Sequence, residues 1–192
     1  HRRDEDAEES PAYGSDIPST DYHQHTQEAA VTMETSHADL IANLGKSGWR
    51  IEFLPDRQPL PASVAERYPW LPTGYREAIE RTKLVCTEDD KAWLLTGADF
   101  SSTSESAFAW NEWERQSLDA ATGDDEWRKR IIAFWDRHAP VLMSVKSGYA
   151  YFAVQQDTLA IVCGEEPEYE ETTLVASSIE ELLALLARRE PR

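Results

Sequence analysis

The chain has 192 residues, with 19 Lys and Arg against 36 Asp and Glu and a formal net charge of -17. That length suits one domain of about 150 residues plus a tail, and no window approaches the roughly 18 apolar residues that cross a bilayer. The charge repels phosphate backbones and anionic lipid, which argues against nucleic-acid or membrane-surface binding and favours a basic partner, although net negative charge also confers solubility by itself.

Residues 1–36 hold nine acids and two bases among Pro11, Gly14, Pro18 and many Ser and Thr, and their few apolar residues show no period. Such a stretch cannot offset the entropy of folding, so it is expected to be an acidic, disordered or appended tail, and 37–192 the folded domain. With no signal-peptide pattern at its start, the protein is expected to be soluble and cytoplasmic. Cys86 and Cys163 each sit inside an apolar run without metal-ligand spacing, as reduced structural thiols do.

Order should begin at Ser36, an N-cap with Asp39 three residues on. Ala38, Leu40, Ile41 and Leu44 then follow helical spacing, with Gly45 and Gly48 to stop the helix. Trp49, Ile51 and Phe53 alternate with Arg50 and Glu52 as a half-buried strand does. A proline-rich connection leads to a short helix around Ser63–Tyr68. Leu71-Pro72 opens another, with Pro72 in its first turn and Tyr75, Ala78 and Ile79 on one side. Lys83–Thr87 and Lys91–Thr96 read as a hairpin around Glu88-Asp89-Asp90.

From Glu105 the period predicts a helix carrying Phe108, Trp110, Trp113 and Leu118, so that Trp110 and Trp113 share a face. Gly123 and Asp124 break it before a second aromatic helix with Trp127, Ile131, Phe134 and Trp135. At 3.6 residues per turn Trp127 and Trp135 lie within about 80° of each other. These rings are expected mainly to fill the core, with one or two lining a cleft where recognition occurs. Four β-rich runs follow, 141–145, 149–154, 158–163 and 172–176, joined by tight turns at Ser147-Gly148 and Gln156-Asp157. Ser178 caps a final helix with Glu181 three residues later and Leu182, Leu183, Leu185 and Leu186 on its buried side. The fold class is α+β: a mostly antiparallel sheet with helices packed against it and a C-terminal helix.

Sequence offers no nucleophile elbow, zinc-protease helix, Walker loop or dinucleotide fingerprint. No cofactor or catalytic residue is assigned. His23 and His25 with Asp21 lie in the tail, which offers a metal no rigid element; no metal site is assigned. His37 and His138 read as structural, His138 as a cation at a helix end. Paired carboxylates are too common in so acidic a chain to single out a hydrolase pair, which stays an alternative. The exception is local: Glu165, Glu166, Glu168, Glu170 and Glu171 surround Pro167 and Tyr169 between two predicted strands. This loop is either a solvated turn or an acidic patch for a basic partner, with Tyr169 as its anchor and Trp110 and Trp113 as further contacts.

The order of elements adds a resemblance. Leu71-Pro72-Thr73-Gly74-Tyr75 and the apolar pair after it resemble the opening helix motif of the SUKH superfamily. Pro140-Val141-Leu142 leading to Gly148-Tyr149 is similar to that family's central strands, and Val175 to Leu183, with Ser178 at its centre, to its closing strand-to-helix signature. Two departures stand beside it: Glu80-Arg81-Thr82-Lys83 replaces an Asn-Gly turn, and a Trp-rich stretch is inserted at 105–138. The resemblance implies a recognition domain without catalysis. Bacterial members look like immunity proteins that neutralise toxins delivered by neighbouring cells, many of them nucleases or nucleotide-modifying enzymes, and fungal relatives act in signalling and cell-wall regulation. The expected partner is therefore a cognate protein toxin bound stoichiometrically, with a regulatory scaffold of the same fold as the alternative; the oligomeric state is left open.

Overall fold

The computed structural model describes residues 35–188; the predicted tail, with His23 and His25, lies almost wholly outside them. Ser36 Oγ accepts the Asp39 N–H at 3.2 Å and starts α1 (His37–Leu44), as its cap spacing predicts. A single 3-10 turn then ends at Gly48, whose φ of 80° only glycine adopts without strain. β1 (Trp49–Phe53) follows, then α2 (Ala62–Arg67) and α3 (Thr73–Glu80). Pro72 stands at the N-cap of α3 rather than inside its first turn, and Tyr75, Ala78 and Ile79 are buried as their spacing requires.

β2 (Thr82–Thr87) and β3 (Ala92–Leu94) form the predicted hairpin, with Cys86 opposite Trp93. β3 stops early because Thr96 and Asp99 make a reciprocal capping box for the short α4 (Gly97–Phe100), which periodicity does not reveal. The helix expected from Glu105 begins only at Glu112, as α5 (Glu112–Ala120). Upstream of it Ser102 has φ 54°, and Ser106 Oγ accepts the Phe108 N–H while donating to the Phe108 carbonyl. These local hydroxyl bonds outcompete helix formation. Phe108 and Trp110 are therefore loop residues, stacked or tilted on Trp93 and Phe100.

Asp124 accepts the Trp127 N–H and caps α6 (Asp125–Asp136). β4 (His138–Ser144) starts immediately after it. His138 is thus the first residue of a strand, not the end of a helix. β5 (Ala150–Gln155), β6 (Ile161–Glu165), β7 (Thr172–Ala176) and α7 (Ile179–Arg188) complete the chain. Ser178 Oγ accepts the Glu181 N–H, and the Glu181 carboxylate accepts from Ser177 N–H, one residue before the usual capping-box donor. Leu182 and Leu183 are buried, whereas Leu185 and Leu186 are half-buried as the helix runs off the core.

All seven strands form one antiparallel sheet in chain order, β1 to β7, so each strand pairs with its sequence neighbour. The domain is α+β. The central β4 is buried along almost its whole length, which explains its unbroken apolar run. The edge strands are open: Phe53 in β1, expected to be half-buried, is 52% exposed beyond a register shift at Glu52/Phe53, and Leu174 in β7 is 73% exposed. Among the described residues no helix is long and apolar enough to cross a membrane.

Candidate functional site

The acidic loop connects β6 to β7 and is held from beneath. Glu166 N–H donates to the Tyr149 carbonyl at 2.9 Å, and Glu166 Oε1 accepts the Tyr149 N–H at 3.0 Å, which ties the loop to the β4–β5 turn. Gly148 makes this possible: it has φ 120°, and a Cβ there would lie 2.9 Å from Glu166 Oε1. After the cis Glu166–Pro167 bond, Glu171 N–H closes a turn on the Glu168 carbonyl.

Tyr169 departs from expectation. It is 5% exposed, stacks on Trp113 and donates its hydroxyl to Gln116 Oε1 at 3.0 Å. Burial, reinforced by Glu166 and other neighbours, pushes the phenol up to about 12, so it remains a donor. Its carbonyl accepts from the Tyr151 hydroxyl. Glu170 is half-buried and accepts the Trp135 indole N–H at 2.9 Å. The anchor assigned to Tyr169 therefore points into the domain, because an aromatic ring gains more by covering Trp113 than by standing in water. Glu165, Glu166, Glu168 and Glu171 remain at the surface.

The tryptophans are redistributed in the same way. Trp113 is 1% exposed and stacks on Tyr149 as well as Tyr169. Trp110 is half-buried and packs edge-on against Tyr68. Trp113 is covered on both sides, and the two do not share a helix. Among the described tryptophans Trp127, in the first turn of α6, is the most exposed, at 39%. Its sequence signal misleads, since it is in phase with buried Ile131 and Trp135 but lies beyond the end of the core. Trp127, Ala120 and Gln116 together with loop residues 166–171 line a groove of about 480 Å³. This groove joins the acidic loop and the Trp-rich insert.

The residues carrying the family-like motifs sit mostly in the scaffold. Leu71, Tyr75 and Pro140 are buried, Pro140 at a register shift in β4, and Ser178 serves as a cap. Only Gly148 and Tyr149 touch the loop.

Other reactive groups are engaged internally. Glu114 is buried and receives two bonds from the Arg67 guanidinium at 2.7 and 2.8 Å, while Arg67 Nε donates to Asp136. Buried Glu80 accepts from Arg57 at 2.6 Å and from the Leu60 N–H at 2.9 Å. His138 Nδ1 donates to the Phe134 carbonyl at 2.7 Å, and burial pulls its pKa below the usual histidine value, so the expected cation is a neutral imidazole. Burial raises the Cys86 and Cys163 thiols, and both are free. A second cavity, about 710 Å³, lies between α1, α3 and the start of α7, where His37 Nε2 approaches Glu180 at 2.7 Å. Among the described residues no three His, Cys, Asp or Glu side chains converge as a metal site requires. Comparison with family models, curated proteins and solved structures finds no match to this chain.

Proposed function

We propose that this chain is a non-catalytic protein-binding domain that captures a basic partner on its acidic loop, as a toxin-neutralising immunity protein of the cytoplasm does. The observation that carries the reading is the way the loop is held: Glu166, Tyr169 and Glu170 are tied to the domain while Glu165, Glu168 and Glu171 face solvent. A charge array fixed before binding loses little entropy when the partner arrives. The net charge of -17 then steers a basic protein toward it. Among the described residues the buried carboxylates are Glu80 and Glu114, and each is paired with an arginine, which supports binding over carboxylate catalysis.

The test begins with the gene beside this one: where it encodes a large secreted protein with a short C-terminal domain, that domain is expressed in cells with and without this chain and survivors are counted. Rescue by the wild type, lost or weakened in a Glu165→Lys, Glu168→Lys, Glu171→Lys variant, is the expected result. Association should also slow as salt shortens the Debye length below about 8 Å. Toxicity that this chain does not relieve would overturn the immunity reading and turn attention to a regulatory scaffold.

A further inference from the structure

From the groove between Trp127 and the 166–171 loop we infer that this surface seats an arginine side chain of the partner protein, stacked on the indole and paired with Glu168 and Glu171. The inference rests on the reading above and names the chemistry of its contact.

The two walls of the groove differ in kind. Trp127 and Ala120 give an aromatic and aliphatic side, and the loop gives carboxylates. Glu166 and Glu170 each spend an oxygen on an internal donor, the Tyr149 N–H and the Trp135 indole. Among the described residues the Glu168 and Glu171 carboxylates accept no side-chain hydrogen bond and join no ion pair. No Lys or Arg among the described residues lines the groove. Three of the four cations on α5 and α6 are turned to other tasks: Arg128 donates to the Leu118 carbonyl at 2.7 Å, Lys129 pairs with Glu126 at 2.7 Å, and Arg115 with Glu112 at 3.4 Å; the fourth, Arg130, is exposed and does not line the groove. Among the described residues the groove is thus an anionic slot with an exposed indole and no cation in its lining.

Arginine fits this composition better than lysine. Its planar guanidinium stacks on an aromatic face and donates in its plane to carboxylates at the same time, whereas an ammonium is a compact, strongly hydrated charge. A volume of about 480 Å³ admits one such side chain with its flanking backbone. The floor does not need to rearrange, since Tyr169 is bonded to Gln116 and Glu170 to Trp135. The Trp127 backbone is held by the Asp124 cap on its amide N–H.

The experiment uses the full chain labelled with nitrogen-15 and follows its indole N–H signals, the Trp127 signal being the one missing from Trp127→Phe. The probes are an acetylated, amidated Arg-Gly-Arg-Gly-Arg peptide and its lysine counterpart. The arginine peptide should move the Trp127 signal saturably and bind several-fold tighter than the lysine peptide. The Glu168→Gln, Glu171→Gln double variant, whose changes are at the surface, should weaken it about tenfold, within the range for two exposed ion pairs. A static Trp127 signal, equal binding of both peptides, or no effect of the double variant overturns the inference. The survival assay separates the two levels. Rescue that is unchanged in Trp127→Ala and in the double variant removes the slot and leaves the immunity reading standing. Failure of the wild type to rescue removes that reading, while the peptide titration still decides the slot.

Discussion

Trp113 of α5 and Tyr169 of the acidic loop lie with ring centroids 5.7 Å apart and planes 11° from parallel. This one contact makes an otherwise polar loop a continuation of the core. Glu168 before Tyr169 stays exposed, while Glu170 after it is half-buried against the Trp135 indole. Two substitutions separate the ring from its hydroxyl. Tyr169→Phe keeps the stack and loses the bond to Gln116, for a cost of about 1 kcal/mol. Tyr169→Ala also loses the ring and should cost about 3 kcal/mol or more. Urea unfolding measures both, and equal losses would show that the stack contributes nothing.

Gly164 in β6 lies directly beneath this contact. A Cβ there would stand 2.5 Å from both the Tyr151 hydroxyl and the Tyr169 carbonyl, closer than real Cβ atoms come. Gly164→Ala should therefore destabilise by about 1–3 kcal/mol through overpacking. It should also release the loop, raising amide exchange at Glu168 and Glu171. Gly123→Ala is the useful contrast. Its φ of 89° strains a side chain, but nothing lies within 4 Å, so the loop should keep its protection.

Local signals in the sequence account for much of this fold, because caps and tight turns are decided by neighbours in the chain. Ser36 and Ser178 cap where their spacing places them, and Asp124, read only as a helix breaker, caps α6 as well. The misreadings arise where a distant partner decides. Trp127 and Trp135 share a helical phase, yet they are 39% and 2% exposed, since periodicity does not say how far along the helix the core extends. Tyr169 reads as a displayed anchor because its partners, Trp113 and Gln116, lie in an element far upstream. The acidic half of the groove was legible in the sequence; its aromatic wall was legible only as one of four crowded tryptophans.

The Arg67–Glu114 pair joins α2 to α5 and, through Asp136, to α6. Glu114 is almost fully buried, so its charge is stable only while the guanidinium faces it. Arg67→Ala should cost about 3 kcal/mol or more by leaving that carboxylate without a partner. Replacing both residues, Arg67→Met with Glu114→Leu, should cost much less, because no orphaned charge remains. Thermal unfolding of the two singles and the double completes the cycle, and a double as costly as the sum of the singles would mean the pair is not coupled.

His138 supplies the pH dependence. Its ring stacks on Phe134 with centroids 3.9 Å apart, and Nδ1 donates to the same residue's carbonyl. Burial lowers its pKa in the folded chain; the Phe134 carbonyl and Asp157 act the other way, and Arg137 adds to the lowering. The unfolded chain therefore binds a proton more readily than the folded one, and stability rises with pH through this window. The contribution is complete above the unfolded histidine value of about 6.5 and is lost as pH falls from there toward the folded pKa. The carboxylates held below their usual range, Asp89 and Glu181 among them, lose their contributions only further into acid. Urea midpoints of the wild type should thus fall between pH 7 and about 5.5. His138→Gln, which keeps a donor for the Phe134 carbonyl but cannot titrate, should flatten that limb at some cost in packing. An unaltered slope in the variant would assign the limb to another histidine.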